Sequence, residues 1–184
     1  AWPAAGVFFE APPGSNWQDG AAAAIRALGP LNLQRRRAGA PPLGFKLRTG
    51  GVTADAFPTC ERVAWTLIAC RDAGVPLKFT AGLHHPIRME RAEVQTRMHG
   101  FVNVFVAATL AHAYPVDPLG ERELTAVLAC EDPHQFEFHA DRLEIGQHTA
   151  ALDVIRQVRS REAISFGSCS FSEPVEDLEA LGWW

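Results

Sequence analysis

The chain has 184 residues, 47% of them apolar, with a formal net charge of −4 and a pI near 6.0. That length and apolar share support one domain with a sizeable core, and the acidic balance speaks against a nucleic-acid partner, which calls for a basic surface. The longest apolar stretch, Phe101 to Ala113, is broken by Asn103 and His112 and is too short to cross a bilayer, so no membrane partner is expected.

Arg35-Arg36-Arg37 is the one basic run and reads as a solvated loop face. Cys60, Cys70, Cys130 and Cys169 show neither CxxC nor disulfide-framework spacing, which fits reduced thiols in a cytoplasmic protein. The chain begins Ala1-Trp2-Pro3 with no methionine and no visible signal peptide, so a missing or processed N-terminal part is one expectation.

In chain order, Val7-Phe8-Phe9-Glu10 reads as a continuously apolar strand buried on both faces. Asn16 to Leu28 reads as an Ala-rich helix stopped at Gly29-Pro30, and residues 30–43 as a connection. Phe45 to Thr49 is a second strand closed by Gly50-Gly51. Pro58 and Cys60 to Ala73 give a helix ended by Gly74, and Leu77 to Leu83 a third strand. The charged stretch from Arg88 to Arg97 reads as an exposed loop or lid. Residues 99–162 read as a mainly helical insert, with an alternating strand or hairpin over Gln135 to Glu144 and a helix over Leu152 to Arg161. Ile164 to Ser168 is the last strand and Val175 to Leu181 the last helix. Strands alternating with helices predict a single α/β domain over 1–184 with a parallel sheet of βα units. The expected architecture is (β/α)8-barrel-like, the C-terminal half of a barrel with the helical insert before the last strand. Half a barrel leaves two raw sheet edges; a missing N-terminal half, a homo-oligomer and an open sheet each resolve that, and the sequence leaves the three open.

Lys46 and Lys78 are the only lysines, against fifteen arginines. They lie 32 residues apart, about one βα unit, each at the end of a strand-like run. In parallel α/β folds ligands bind beyond the strand C-termini. Those ends carry Glu10; Lys46, Arg48, Gly50 and Gly51; Lys78, Thr80, His84 and His85; then Ser168, Ser170 and Glu173. Lys46 and Arg48 share a face, and beside a Gly-Gly turn they form a candidate anion clamp. A salt-bridged pair with Glu10 is the equally weighted structural reading. An amine crowded by cations and burial loses its proton more readily and becomes a Schiff-base nucleophile. His84-His85 reads as one acid/base or substrate contact and one packed ring, rather than as a metal site. The stretch Phe166-Gly-Ser-Cys-Ser170 does not meet the Gly-x-Ser-x-Gly spacing of a nucleophile elbow, so its serines read as hydrogen-bond donors to an anion.

The segments Lys46-Leu-Arg-Thr-Gly-Gly and Lys78-Phe-Thr-Ala-Gly-Leu resemble the paired strand-end lysine motifs of class I aldolases of the deoxyribose-phosphate type, a (β/α)8 family. The resemblance covers about a dozen positions. It implies that one lysine forms the Schiff base and the other tunes it; the two motifs occur in exchanged order, so it does not say which is which. Thr80-Ala-Gly-Leu-His-His-Pro86 and Phe166 to Pro174 also resemble an uncharacterised group of bacterial proteins, which implies no known activity.

The resulting expectation is a lyase- or aldolase-like enzyme for a small phosphate- or carboxylate-bearing metabolite, with no cofactor and no metal. Lys78 or Lys46 supplies the amine, and Glu10 or His84 moves protons. Arg48, Gly50, Gly51, Thr80, His85, Ser168 and Ser170 bind substrate. The alternatives are a non-covalent anion site, as in a transferase or decarboxylase, and a non-catalytic metabolite-binding or half-barrel assembly module.

Overall fold

A computed structural model describes residues 6–168 and 170–184; the Ala1-Trp2-Pro3 start and Cys169 lie outside them. The architecture is mixed α/β. Four strands, β1 (Phe8–Phe9), β2 (Gly44–Arg48), β3 (Leu77–Thr80) and β9 (Ala163–Ser165), form a sheet in the order β1-β2-β3-β9, parallel throughout. Helix α1 (Trp17–Arg37) joins β1 to β2, and α2 (Cys60–Ala73) joins β2 to β3.

The four-strand sheet is half covered. Phe45, Leu47, Leu77 and Phe79 are buried, and Phe79 meets Phe105 edge to face at 5.8 Å. Burying each such phenylalanine contributes about 2–3 kcal/mol. The alternate positions Lys46, Arg48, Lys78 and Thr80 remain half-buried or exposed. An all-parallel sheet normally has both faces covered and reads as unbroken apolar runs; here β2 and β3 alternate.

Several local expectations are corrected. Helix α1 runs through Gly29-Pro30 to Arg37. A mid-helix proline removes one hydrogen bond and strains the turn before it, but burial of Ile25, Leu28 and Asn32 carries the helix across. Asn32 donates to the Leu43 carbonyl and accepts from the Leu43 N–H, at 2.8 and 2.7 Å, which ties α1 to the start of β2. A Cβ on Gly29 would sit 3.0 Å from the Ala73 carbonyl oxygen, so this glycine permits close approach to α2. The arginine run is the last turn of α1, where cations offset the helix dipole, and Arg36 donates to the Gly74 carbonyl at 3.1 Å. Strand β1 is an edge, with Val7 and Phe9 exposed rather than enclosed on both sides. The charged stretch expected as a loop is an antiparallel hairpin, β4 (Met89–Arg91) and β5 (Thr96–Met98).

Between β3 and β9, the segment expected as mainly helical holds α3 (Phe101–Ala113), α4 (Glu121–Ala129) and α5 (Leu152–Arg161). It also holds a three-stranded antiparallel sheet of β6 (Phe136–Phe138), β7 (Arg142–Ile145) and β8 (His148–Ala151). Buried Asn103 organises this part. Its amide donates to the Val127 and Cys130 carbonyls at the end of α4, and its oxygen accepts the Arg88 N–H at 2.9 Å. Helix α6 (Ser172–Ala180) ends the chain, and Trp183 beyond it packs edge-on against Phe138 at 5.1 Å. Cys60, Cys70 and Cys130 are free thiols. No helix among the described residues is long and apolar enough to cross a membrane.

Candidate functional site

The open face of the parallel sheet collects Lys46, Arg48, Lys78 and Thr80. The two lysines, expected at strand ends, lie within the strands, Lys46 in the middle of β2 and Lys78 second in β3. Lys46 lies directly beside Lys78 in register, and Arg48 beside Thr80. Partners in register on neighbouring strands point to the same face, so four polar side chains form a two-by-two patch. Strand β9 extends it by Ser165, in register with Lys78.

Glu10, one residue past β1, joins from the edge. Its Oε2 lies 2.5 Å from Lys46 Nζ, and its Oε1 accepts from Arg48 Nε at 3.3 Å. Desolvation pushes the Glu10 carboxyl up, but the hydrogen bond and charge of Lys46, with Arg48 behind them, bring it below the usual carboxylate range on balance. The salt-bridged reading of Lys46 and Arg48 therefore holds in this structure.

Lys78 is placed differently. Its ammonium sits 5.0 Å from the centre of the Phe8 ring, in cation–π range. The ring reaches it because β2 carries Gly44 between them: a Cβ there would lie 2.3 Å from the ring. Among the described residues no carboxylate is within ion-pair distance of Lys78. Further along β3, the Thr80 hydroxyl is buried and has no hydrogen-bond partner among the described residues. An orphaned buried hydroxyl is uncommon and costs stability unless something else completes it.

The turns beyond the strands are locked together. Thr49 donates through Oγ1 to the Ala81 carbonyl at 2.6 Å and through its N–H to the Thr80 carbonyl at 2.9 Å. Ala81 and Gly82 both adopt the left-handed region, with φ of 64° and 74°, a conformation that costs a non-glycine residue on the order of 1 kcal/mol. The strain accompanies a very close crossing. A Cβ on Gly82 would lie 2.7 Å from the Gly50 Cα, and a Cβ on Gly51 2.7 Å from that of Ala56. Gly50 and Gly51 thus have a packing reason of their own, beside any anion contact.

The same turn delivers His84 and His85 to α6. His84 Nδ1 is 3.1 Å from Glu173 Oε2, and buried His85 holds Asp177 Oδ2 at 2.6 Å through Nδ1. Glu173 and Asp177 are four apart and so share a helix face. No residue of α6 is fully buried, which makes these two pairs its main polar anchors. A carboxylate on Nδ1 fixes an imidazole's orientation and favours Nε2 as the basic nitrogen. Asp177 is the site residue sequence reasoning missed; its spacing from Glu173, set against adjacent histidines, was the available signal. Ser168 and Ser170 shape the chain before α6: Ser168 Oγ accepts from Ser170 N–H at 3.3 Å, and Ser170 Oγ accepts from Glu173 N–H at 3.1 Å. Such local side-chain-to-backbone bonds are the usual work of serines at helix starts.

The structure thus brings Glu10, Lys46, Arg48, Lys78 and Thr80 together and sets His84 and His85 against α6. The fold and site define an α/β protein with a charged sheet face that is half-exposed among the described residues. No protein-family model, curated protein or solved structure matches the chain.

Proposed function

We propose that this face is the catalytic surface of a lyase- or aldolase-like enzyme acting on a small metabolite that bears a phosphate or carboxylate. The observation that carries this reading is the unequal treatment of two lysines in register: Glu10 engages Lys46, whereas Lys78 has an aromatic face and no carboxylate partner among the described residues. In this reading Lys78 is the amine nucleophile. Its Nζ adds to a substrate carbonyl carbon, and the carbinolamine loses water to give a protonated imine. The imine accepts the electron pair of the bond between the α and β carbons as that bond breaks; the β-hydroxyl gives up its proton and the β fragment leaves as an aldehyde. The enamine is reprotonated at the α carbon before water hydrolyses the imine and frees Lys78. Lys46 holds positive charge beside the imine, Arg48 binds the substrate's anionic group, and Thr80 supplies a hydrogen bond. Glu10, or His84 from the neighbouring turn, moves protons.

Incubating the chain with small phosphorylated and carboxylated aldehydes or ketones, adding borohydride and mapping the adduct by mass spectrometry tests this. Reduction is expected to fix one substrate on Lys78. An unmodified chain across such a panel would leave a non-covalent anion site, of the transferase or decarboxylase kind, in its place.

A second reading has its own support. Among the described residues, an all-parallel sheet with one half-exposed face and β1 and β9 as unpaired edges fits a segment of a (β/α)8-like barrel whose remaining strands come from more chain or another copy. This reading concerns how the site is enclosed, and it is compatible with either chemistry.

A further inference from the structure

The antiparallel pair β6–β7 carries a second cluster, separate from Lys46 and Lys78. Phe136, Leu143 and Ile145 are buried on its inner face. By strand alternation Glu137, His139, Arg142 and Glu144 occupy the other face. Glu137 stands directly opposite Glu144, and His139, two residues further on, donates its N–H to the Arg142 carbonyl at 2.8 Å. Two carboxylates directly opposite each other destabilise an antiparallel pair. Here an imidazole nitrogen lies between them: His139 Nε2 is 3.6 Å from Glu137 Oε2 and 3.6 Å from Glu144 Oε2.

Those separations are too long for hydrogen bonds. They are close to the spacing of about 3.4 Å between ligand atoms that share one tetrahedral zinc-type ion at 2.0–2.2 Å. One ligand atom from each of the three residues lies within 4.8 Å of the other two. The outer shell is also present. Arg142 Nε donates to Oε1 of Glu144 at 2.5 Å, which leaves Oε2 turned toward His139, and partners of this kind fix ligating carboxylates.

We propose that Glu137, His139 and Glu144 form a binding site for a divalent zinc-type ion, clipping β6 to β7 and leaving at least one coordination position open to water. Two carboxylates balance the ion's charge, and the imidazole favours zinc, cobalt or nickel over calcium or magnesium. Glu137 in β6, His139 one residue past its end and Glu144 across the ladder from Glu137 bring three donor atoms within 4.8 Å of one another. The site stands independently of the lysine chemistry.

Titrating Zn2+ into the chelator-stripped chain by calorimetry, and Co2+ by visible absorption, tests the assignment. One equivalent of zinc is expected, with a cobalt spectrum of nitrogen and oxygen ligands and no thiolate charge-transfer band. His139→Ala should lose the one-equivalent isotherm, and Glu137→Gln and Glu144→Gln should each weaken binding about tenfold or more. The far-UV spectrum of each variant reports folding, and if His139→Ala does not fold, Glu144→Gln decides. Absence of zinc binding by the native chain overturns the proposal. So does undiminished affinity in the folded variants, or a thiolate band placing the ion on cysteine.

Discussion

The two faces of the parallel sheet are built from the same strands by opposite rules. On one face Phe45, Leu47, Leu77 and Phe79 are all but removed from solvent. On the other, one residue along in each case, Lys46, Arg48 and Lys78 stay within reach of water, while Thr80 is half-buried with its hydroxyl enclosed. The covered face carries the stability. The open face tolerates a left-handed alanine at Ala81, an orphaned hydroxyl at Thr80 and a concentration of positive charge, none of which helps folding. Local features that cost stability, held in place by a well-packed opposite side, are what binding and catalytic surfaces require.

The largest effect should come from breaking the covered face. Phe79→Ala removes a fully buried ring in contact with Phe105 and is expected to cost about 3–5 kcal/mol in denaturant unfolding. Its neighbour Lys78, changed to Ala, should cost less than about 0.5 kcal/mol. Equal losses at the two positions would mean that the open face is covered in solution.

Next in size is a pH effect on the buried side. His99 is fully buried, donating from Nε2 to the Pro58 carbonyl at 2.7 Å and accepting from Arg88 at Nδ1. Desolvation pushes its pKa down to about 4, against a backbone bond that raises it, with the Arg88 charge adding to the fall. A folded value below the unfolded 6.5 means that the unfolded chain takes up the proton first as pH falls. The stability contribution is therefore complete above pH 6.5 and lost between about 6.5 and 4, amounting to roughly 3 kcal/mol. Unfolding free energies at pH 7, 5.5 and 4.5 should show this decline, and His99→Gln should flatten it.

How far the sequence reached follows the same division. Period-two alternation in Phe45 to Arg48 and Leu77 to Thr80 was readable as strands presenting lysine and arginine together, because burial imposes that pattern locally. The α1 boundary was not readable. Gly29-Pro30 is a strong local stop, and only the distant partners Ala73 and Leu43 override it. Strand β1 misled in the opposite direction, since an unbroken apolar run describes composition and says nothing of whether a neighbour covers Phe9. The β4–β5 hairpin was hidden by its charges, which lie on an exposed ribbon with little apolar patterning. At the site, the individual residues and the Glu10 salt bridge were legible as readings, while the choice between salt bridge and anion clamp, and the placing of Lys78, were not. That Phe8 crosses Gly44 to reach Lys78, leaving Glu10 to Lys46 and Arg48, depends on register between strands far apart in sequence.

On the open face the Glu10 charge cluster sharpens the contrast at smaller scale. With a folded carboxyl value depressed by Lys46 and Arg48, its contribution is present above the ordinary value of 4.5 and fades as pH falls below it. Partial solvation limits that contribution to less than about 1 kcal/mol. Glu10→Gln should therefore shift unfolding slightly at pH 7 and negligibly at pH 3. It should also release Lys46, so that borohydride adducts, if they form, begin to appear on Lys46 as well as Lys78.

The smallest effect on folding should accompany the sharpest effect on chemistry. Lys78→Arg keeps the positive charge and the stacking on Phe8, so unfolding free energies should move by no more than about 0.5 kcal/mol. A guanidinium cannot give up its proton to become an amine nucleophile, and the trapped adduct should vanish entirely. Anion affinity, measured with inorganic phosphate, should fall little, because Arg48 and Lys46 remain. The pair of readouts separates covalent from electrostatic use of one side chain. Loss of the adduct with phosphate binding intact assigns Lys78 to the reaction. Persistence of the adduct moves the nucleophile to Lys46, and with it the meaning of the Glu10 ion pair, which would then be the partner that must let go before the amine can react.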